Sequence, residues 1–216
     1  MLWLLGTRTG FTLEALRQLR NPHLFKWYAV ALLALVVYAY AVEVERRRWD
    51  VIAAGLAVWL ADWFNEIINA LVLHVSDRAA LWTTTGPTAY QLLIGLNVEI
   101  MFMFAVAGIV YAKLLPADRT ARLLGLPNRI AVALGLSLVS VAVEVFLHAT
   151  GTFHWEYWWW NTASLPMIVI FGYLWFYLYA AWVYDASPPR RWAILGVLGA
   201  TDLAVGLVFG VGLGWL

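Results

Sequence analysis

The chain has 216 residues, 63% of them hydrophobic and 12% charged, with a mean hydropathy of +0.76. Soluble domains carry about a quarter charged residues, so this composition excludes a water-soluble globular protein and indicates a polytopic helical membrane protein. A formal net charge of +1 recruits no nucleic acid, and the lack of cysteine excludes disulfides, thiolate metal sites, iron–sulfur clusters and a cysteine nucleophile.

The opening segment, Met1 to Gly10, is apolar for five residues before Gly6, Thr7 and Arg8. That is too short for a signal-peptide core, so insertion is expected to be driven by the membrane helices. From Thr12 to Arg20, Leu13, Leu16 and Leu19 share one side while Glu14, Arg17 and Arg20 lie elsewhere. Such a segment reads as a short interfacial helix or a solvated connector, stopped by Asn21-Pro22.

Six spans follow: Lys26–Val44, Val51–Val75, Thr88–Ala112, Arg129–Ala149, Leu165–Tyr184 and Trp192–Leu216. Each is near the ~20 residues that cross a hydrocarbon core. The fold class expected is all-α, a six-helix bundle forming one transmembrane domain over 1–216, with 1–25 as an interfacial N-terminal segment. Gly86-Pro87, Pro116, Pro127 and Pro188-Pro189 mark the breaks, and Pro166 suits the first turn of the fifth span. A second surface helix or connector is expected over Ala117–Leu124, closed by Gly125. Lys and Arg number nine in the odd loops and five on the other side. The positive-inside rule then puts the odd loops in the cytoplasm and both termini outside a cell membrane.

Polar residues inside the spans carry the functional argument, because an intramembrane ionisable group costs roughly 2.5–3.5 kcal/mol even on the lenient insertion scale. In the second span Asp62, Glu66, Asn69 and Asp77 share one helical face. Asp62 and Glu66 cannot both be buried and ionised without a cationic partner. His74 lies on another face, towards the interface. The third span adds Asn97 and Glu99, with Glu99 at mid-depth. The fourth places Ser137, Ser140, Glu144 and His148 on one face, so that Glu144 and His148 are one turn apart and able to share a ligand.

The loop from Thr152 to Asn161, with His154, Trp155, Glu156, Trp158, Trp159 and Trp160, reads either as an aromatic belt or as a lid over a polar pocket. On the fifth span Tyr173, Tyr177 and Tyr184 share a face, lining a cavity or packing. In the last span Gly199, Gly206, Gly210 and Gly214 form a small-residue stripe with Asp202 on it, suited to close helix packing or to self-association into a homo-oligomer.

Glu66, Glu99, Glu144 and His148 suit a divalent metal such as zinc, manganese or iron. The spacing argues against it: bundle di-metal sites use Glu-x-x-His, whereas here four residues separate the pair. Four histidines are too few for a histidine-rich desaturase site, and Lys26 and Lys113 flank helices rather than offer a retinal attachment. No haem, flavin, nucleotide-binding or nucleophile-elbow signature occurs. The function expected is an enzyme acting on a lipidic substrate (acyl, isoprenoid or sterol-like) by metal-assisted or acid/base chemistry. In that reading Glu66, Glu99, Glu144 and His148 are catalytic, assisted by His154 and Glu156. The pocket is expected to draw on Asp62, Asn69, His74, Asn97, Trp155, Trp159, Asn161, Tyr173 and Tyr177, and its partners are membrane lipids and a hydrophobic small molecule. A proton- or ion-coupled transporter and a lipid- or pigment-binding scaffold are the alternatives.

Overall fold

A computed structural model describes residues 7–216; the first part of the opening apolar segment lies outside them. Helix α1 (Gly10–Gln18) is capped by Thr9, whose Oγ1 accepts from Thr12 N at 3.2 Å, and a single 3₁₀ turn, Pro22–Leu24, follows under an Asn21 cap. The long elements are α2 (Tyr28–Glu45), α3 (Trp49–Ser76), α4 (Val98–Leu114), α5 (Asn128–Ala149), α6 (Thr162–Asp185) and α7 (Pro188–Gly212). Four short strands accompany them: β1 (Trp82–Thr84), β2 (Arg122–Leu123), β3 (Leu126–Pro127) and β4 (Phe153–Trp155).

Among the described residues five helices, α2, α3, α5, α6 and α7, are long and apolar enough to cross a membrane. The third expected span, Thr88–Ala112, gives a helix shorter than its apolar run. Residues 88–97 stay irregular, and α4 begins only where Asn97 Oδ1 accepts from Ile100 N at 2.9 Å. Its 17 residues reach about 26 Å, short of a 30 Å core.

Helix α3 is the axis of the bundle, packed by α4, α6 and α7. Its Ala53, Ala54, Ala57 and Ala61 are fully buried, and small side chains there let neighbouring backbones approach. The closest approach is at Gly108 of α4, where an added Cβ would lie 2.1 Å from Ala54 O. In contrast, α2 buries only Ala29 and Glu43 and so faces lipid along nearly its whole length.

The two ends of the bundle differ. At one end β1 and β4 pair antiparallel, in the register Trp82↔Trp155, Thr83↔His154 and Thr84↔Phe153, and α1 packs across β1. The C-terminal Leu216 carbonyl meets Arg20 at this end, and Trp215 stacks on His74. At the other end Asp185 accepts from Arg129 and lies 3.2 Å from Arg119, and the buried Glu43 pairs with Lys113.

Of the two alternatives for Ala117–Leu124, the structure shows an exposed connector rather than a helix, and it ends in a hairpin, β2 with β3, turned by Leu124 (φ 52°) and Gly125 (φ 80°). Two consecutive left-handed residues make a tight turn that a helix cannot contain. Asn128 Nδ2 holds the preceding loop by donating to the carbonyls of Asp118, Arg119 and Ala121.

Candidate functional site

A small cavity of about 40 Å³ lies between α3, α5 and α6, with walls completed by α4, Trp82 of β1 and Trp160. That is room for a few water molecules. Asp62 and Glu66 of α3 and Glu144 of α5 all line it. Trp82 Nε1 donates to Glu66 Oε1 at 2.8 Å, and Tyr173 OH donates to Glu144 Oε1 at 2.6 Å. Asp62 Oδ2, Glu66 Oε2 and Glu144 Oε2 are buried with no hydrogen-bond partner.

Orphaned buried acceptors are uncommon and ask for an explanation. No Lys, Arg or His lines the cavity. Three like charges around one low-dielectric space repel, so at least one carboxyl holds a proton in the absence of a cationic guest.

Trp82 is fixed in place by Asn69, one turn beyond Glu66 on α3. Asn69 Nδ2 donates to Trp82 O at 2.8 Å, and Asn69 Oδ1 accepts from Trp82 N at 3.1 Å. Gly95 makes room for this arrangement, since an added Cβ would come within 2.5 Å of both Asn69 Nδ2 and the Trp82 ring. Tyr173 sits in a π-helical stretch of α6, Ile168–Leu174, that also supplies Ile168 and Gly172 to the wall. Such widened turns recur at functional sites because they re-aim side chains.

Aromatic rings form the remaining wall. Trp82 and Trp160 stack with centroids 6.0 Å apart, Phe104 and Tyr173 likewise at 6.0 Å, and Phe176 meets Phe104 edge-on at 5.7 Å. Outside this wall, between α2, α4 and α5, runs an apolar groove of about 610 Å³. Met103, Phe104, Ser140 and Val143 line both groove and chamber, so one thin partition separates the carboxyls from the lipid-facing side.

The cap formed by α1, β1 and β4 has a polar network of its own. His154 Nε2 lies 2.7 Å from Thr85 Oγ1, and its ring stacks on Phe11 of α1 at 3.6 Å. Burial pushes the His154 imidazole below its usual range, and His148 adds to this while Glu156 and Glu14 oppose it. Glu156 accepts from Thr12 Oγ1 at 3.3 Å and Thr83 Oγ1 at 3.2 Å. These bonds tie α1 to the strand pair.

The four-residue metal set expected from the sequence is not assembled. Glu66 and Glu144 meet, joined by Asp62, but Glu99 and His148 lie elsewhere. Because residues 88–97 are not helical, Glu99 falls in the first turn of α4 rather than at mid-depth. There it accepts from Tyr28 OH, from Thr88 Oγ1 at 2.6 Å and from Ala89 N at 2.7 Å, at the edge of the lipid-facing groove. His148 is one turn, about 6 Å, beyond Glu144. That lifts it to the level of β4, where its Nδ1 lies 3.0 Å from Phe153 O and its ring leans on Trp155.

Other expected pocket residues have local partners. Asn97 caps α4. Asn161 caps the start of α6, accepting from Ala163 N at 2.8 Å, and Trp159 packs between Tyr157 and Trp160. Trp155 is buried in β4, His74 is exposed, and Tyr177 OH bonds Ser140 at 3.2 Å. Of the glycine stripe, Gly206 and Gly214 have open space where a Cβ would stand, Gly199 meets Leu60 at ordinary distance, and Gly210 faces only the Leu216 side chain. Close helix approach is made instead by Gly55 and Gly108. Asp202 is buried with both oxygens unpartnered.

Trp82, Phe104, Phe176 and Gly95 were not singled out by the sequence, whereas Trp160 comes from the loop expected as a belt or lid. Each reaches the site through a loop return or a helix pairing that periodicity does not encode.

Residues 9–211 match a family described as an uncharacterized membrane protein family. A relative from Archaeoglobus fulgidus, described as an uncharacterized protein, is 46% identical over 205 residues, covering 94% of this chain and 97% of its own. No solved structure matches.

Proposed function

The chain belongs to this family of membrane proteins, and we propose that it is a membrane-embedded acid/base enzyme whose hydrophobic substrate reaches the Asp62–Glu66–Glu144 chamber from the lipid-facing groove. The observation that carries this reading is the pairing of three unpartnered carboxyl oxygens with a partition shared between chamber and groove. A protonated carboxyl beside an ionised one is an acid and a base in a single water-poor space. Glu144, oriented by Tyr173, and Glu66, oriented by Trp82, fill these two roles, with Asp62 as the third proton-holding group. His154 and Glu156 hold the cap. On the Lys and Arg distribution the chamber end is extracytoplasmic. The chemistry is assigned to the carboxyls themselves, whose unpartnered oxygens belong to residues that border the cavity.

The test uses protein in nanodiscs incubated with pooled fatty acyl, sterol and polyisoprenoid lipids, followed by mass spectrometry of the extract. A new lipid-soluble species is expected with wild type and is reduced by about 10²-fold or more in Glu66→Gln and Glu144→Gln, the usual scale for losing a general acid or base. Extracts from folded variants that match wild type would overturn the proposal.

A further inference from the structure

We infer that the group transformed in the chamber is an electron-rich carbon–carbon double bond at the end of a branched hydrocarbon chain, protonated by a chamber carboxyl to give a carbocation that the aromatic wall stabilises. The inference rests on the acid/base reading above and names its substrate class.

The balance of donors and acceptors argues it. Acyl-transfer chemistry develops an oxyanion and needs convergent free N–H or O–H donors. Here the Trp82 Nε1 and Tyr173 hydroxyl donors are already committed to Glu66 and Glu144, and Ser140 is paired with Tyr177. Against three unpartnered carboxyl oxygens, the wall offers the unpartnered Trp160 Nε1 and the Asn65 amide, whose Nδ2 donates to Gly172 O at 3.4 Å. Such a site is built to meet positive charge. The rings of Phe104, Tyr173, Phe176, Trp82 and Trp160 line the chamber, and aromatic rings attract a cation more strongly once water is excluded. The groove on the other side of Met103 and Phe104 is apolar and admits an uncharged chain.

The step balances within the chamber. The carboxylic acid gives its proton to one alkene carbon, and the π pair becomes the new C–H bond. The other carbon is left cationic and the acid becomes a carboxylate. A second carboxylate then takes a proton from the adjacent carbon, whose C–H pair re-forms a double bond in a new position. Alternatively it takes the proton from a water whose oxygen bonds the cation, giving an alcohol. Proton exchange between the two carboxyls restores the starting state.

The test compares two probes of one shape. N,N-dimethyldodecylamine is an ammonium ion at neutral pH and mimics the cation; 2-methyltetradecane is its uncharged isostere. Binding to the full chain in nanodiscs is measured by competition against a radiolabelled sample of the amine, at equal mole fraction in the bilayer. Transition-state mimics bind at least about 10²-fold more tightly than ground-state analogues, and that preference is expected for wild type. Phe104→Leu and Phe176→Leu, each checked for folding by its unfolding midpoint, are expected to cut the preference by about tenfold. Equal binding of the two probes overturns the inference and leaves the groove-fed acid/base reading standing. A preference unchanged in both leucine variants also overturns it, assigning the site to ammonium recognition by carboxylate charge alone. Binding of neither probe overturns both readings.

Discussion

The crossing of α3 and α4 gives the sharpest test of how the bundle is held. A Cβ added to Gly108 would lie 2.1 Å from Ala54 O, 2.7 Å from Ala54 C and 2.8 Å from Gly55 Cα. All three are backbone atoms, so no side chain can turn aside. A normal carbon–oxygen contact is about 3.3 Å or more, which means that Gly108→Ala must push the helices apart by about 1 Å. Overpacking of this kind costs about 1–3 kcal/mol, or more where the surroundings are rigid, and alanine's higher helix propensity returns about 1 kcal/mol. With only backbone atoms in the way the upper end of that range applies, and the net expectation is a loss of about 2 kcal/mol. Gly135→Ala in α5 is the control, because nothing lies within 4 Å of its added Cβ. It should leave stability unchanged or raise it by at most about 1 kcal/mol. Reversible unfolding in mixed micelles, followed by tryptophan emission, measures both. A Gly108→Ala midpoint at or above wild type would refute the reasoning.

Three further outcomes follow from the site. Asn69→Ala removes two hydrogen bonds to the Trp82 backbone and should cost about 1–3 kcal/mol in the same unfolding assay. Trp82→Phe keeps the ring stacking but leaves Glu66 Oε1 without its donor, and a loss of similar size, about 1–3 kcal/mol, is expected. His154, its imidazole pushed down by burial, favours the neutral form in the folded protein. Below about pH 6.5, the ordinary imidazole value, the unfolded chain takes up the proton first. Stability should therefore fall as pH drops through that value, levelling off below the folded-state pKa. Melts at a series of pH values should show this fall in wild type and its loss in His154→Gln.

The spans were legible because hydrophobic runs near 20 residues have few other readings. Expected Val51–Val75 and observed Trp49–Ser76 agree within two residues at each end, as do Arg129–Ala149 and Asn128–Ala149. The helix in the third span is shorter than expected for a specific reason. The run from Thr88 to Asn97 carries Leu92, Leu93, Ile94 and Leu96 directly before an apolar helix, and composition does not distinguish a helix from a loop folded into the bundle. What settles it is local chemistry: Asn97 caps α4, while Gln91 bonds both Thr84 and the Leu93 carbonyl. Buried backbone groups must find partners wherever they are, and here a polar side chain supplies them to a segment that hydropathy alone places in lipid.

The site was legible only as a set of expensive residues. Helical spacing put Asp62, Glu66 and Asn69 on one face, and the structure uses all three, two as chamber carboxyls and one to hold Trp82. Spacing also put Glu144 and His148 on one face, yet they serve different layers. Sharing a face fixes an angle but not a depth, and one turn of rise carries His148 past the chamber into the cap. Glu99 shows the reverse case, where a correct residue type at a misplaced depth becomes a loop anchor held by Tyr28, Thr88 and Ala89. What separates these carboxyls is whether their acceptors are satisfied. Glu99 has a donor on each oxygen, whereas Glu66 and Glu144 each keep one oxygen empty and Asp62 leaves Oδ2 bare. A carboxyl needed only for packing can be satisfied fully, as Glu99 is. Three left partly unsatisfied around one cavity leave acceptor capacity for a proton or a cationic guest, and that distinction exists only once the chain has folded.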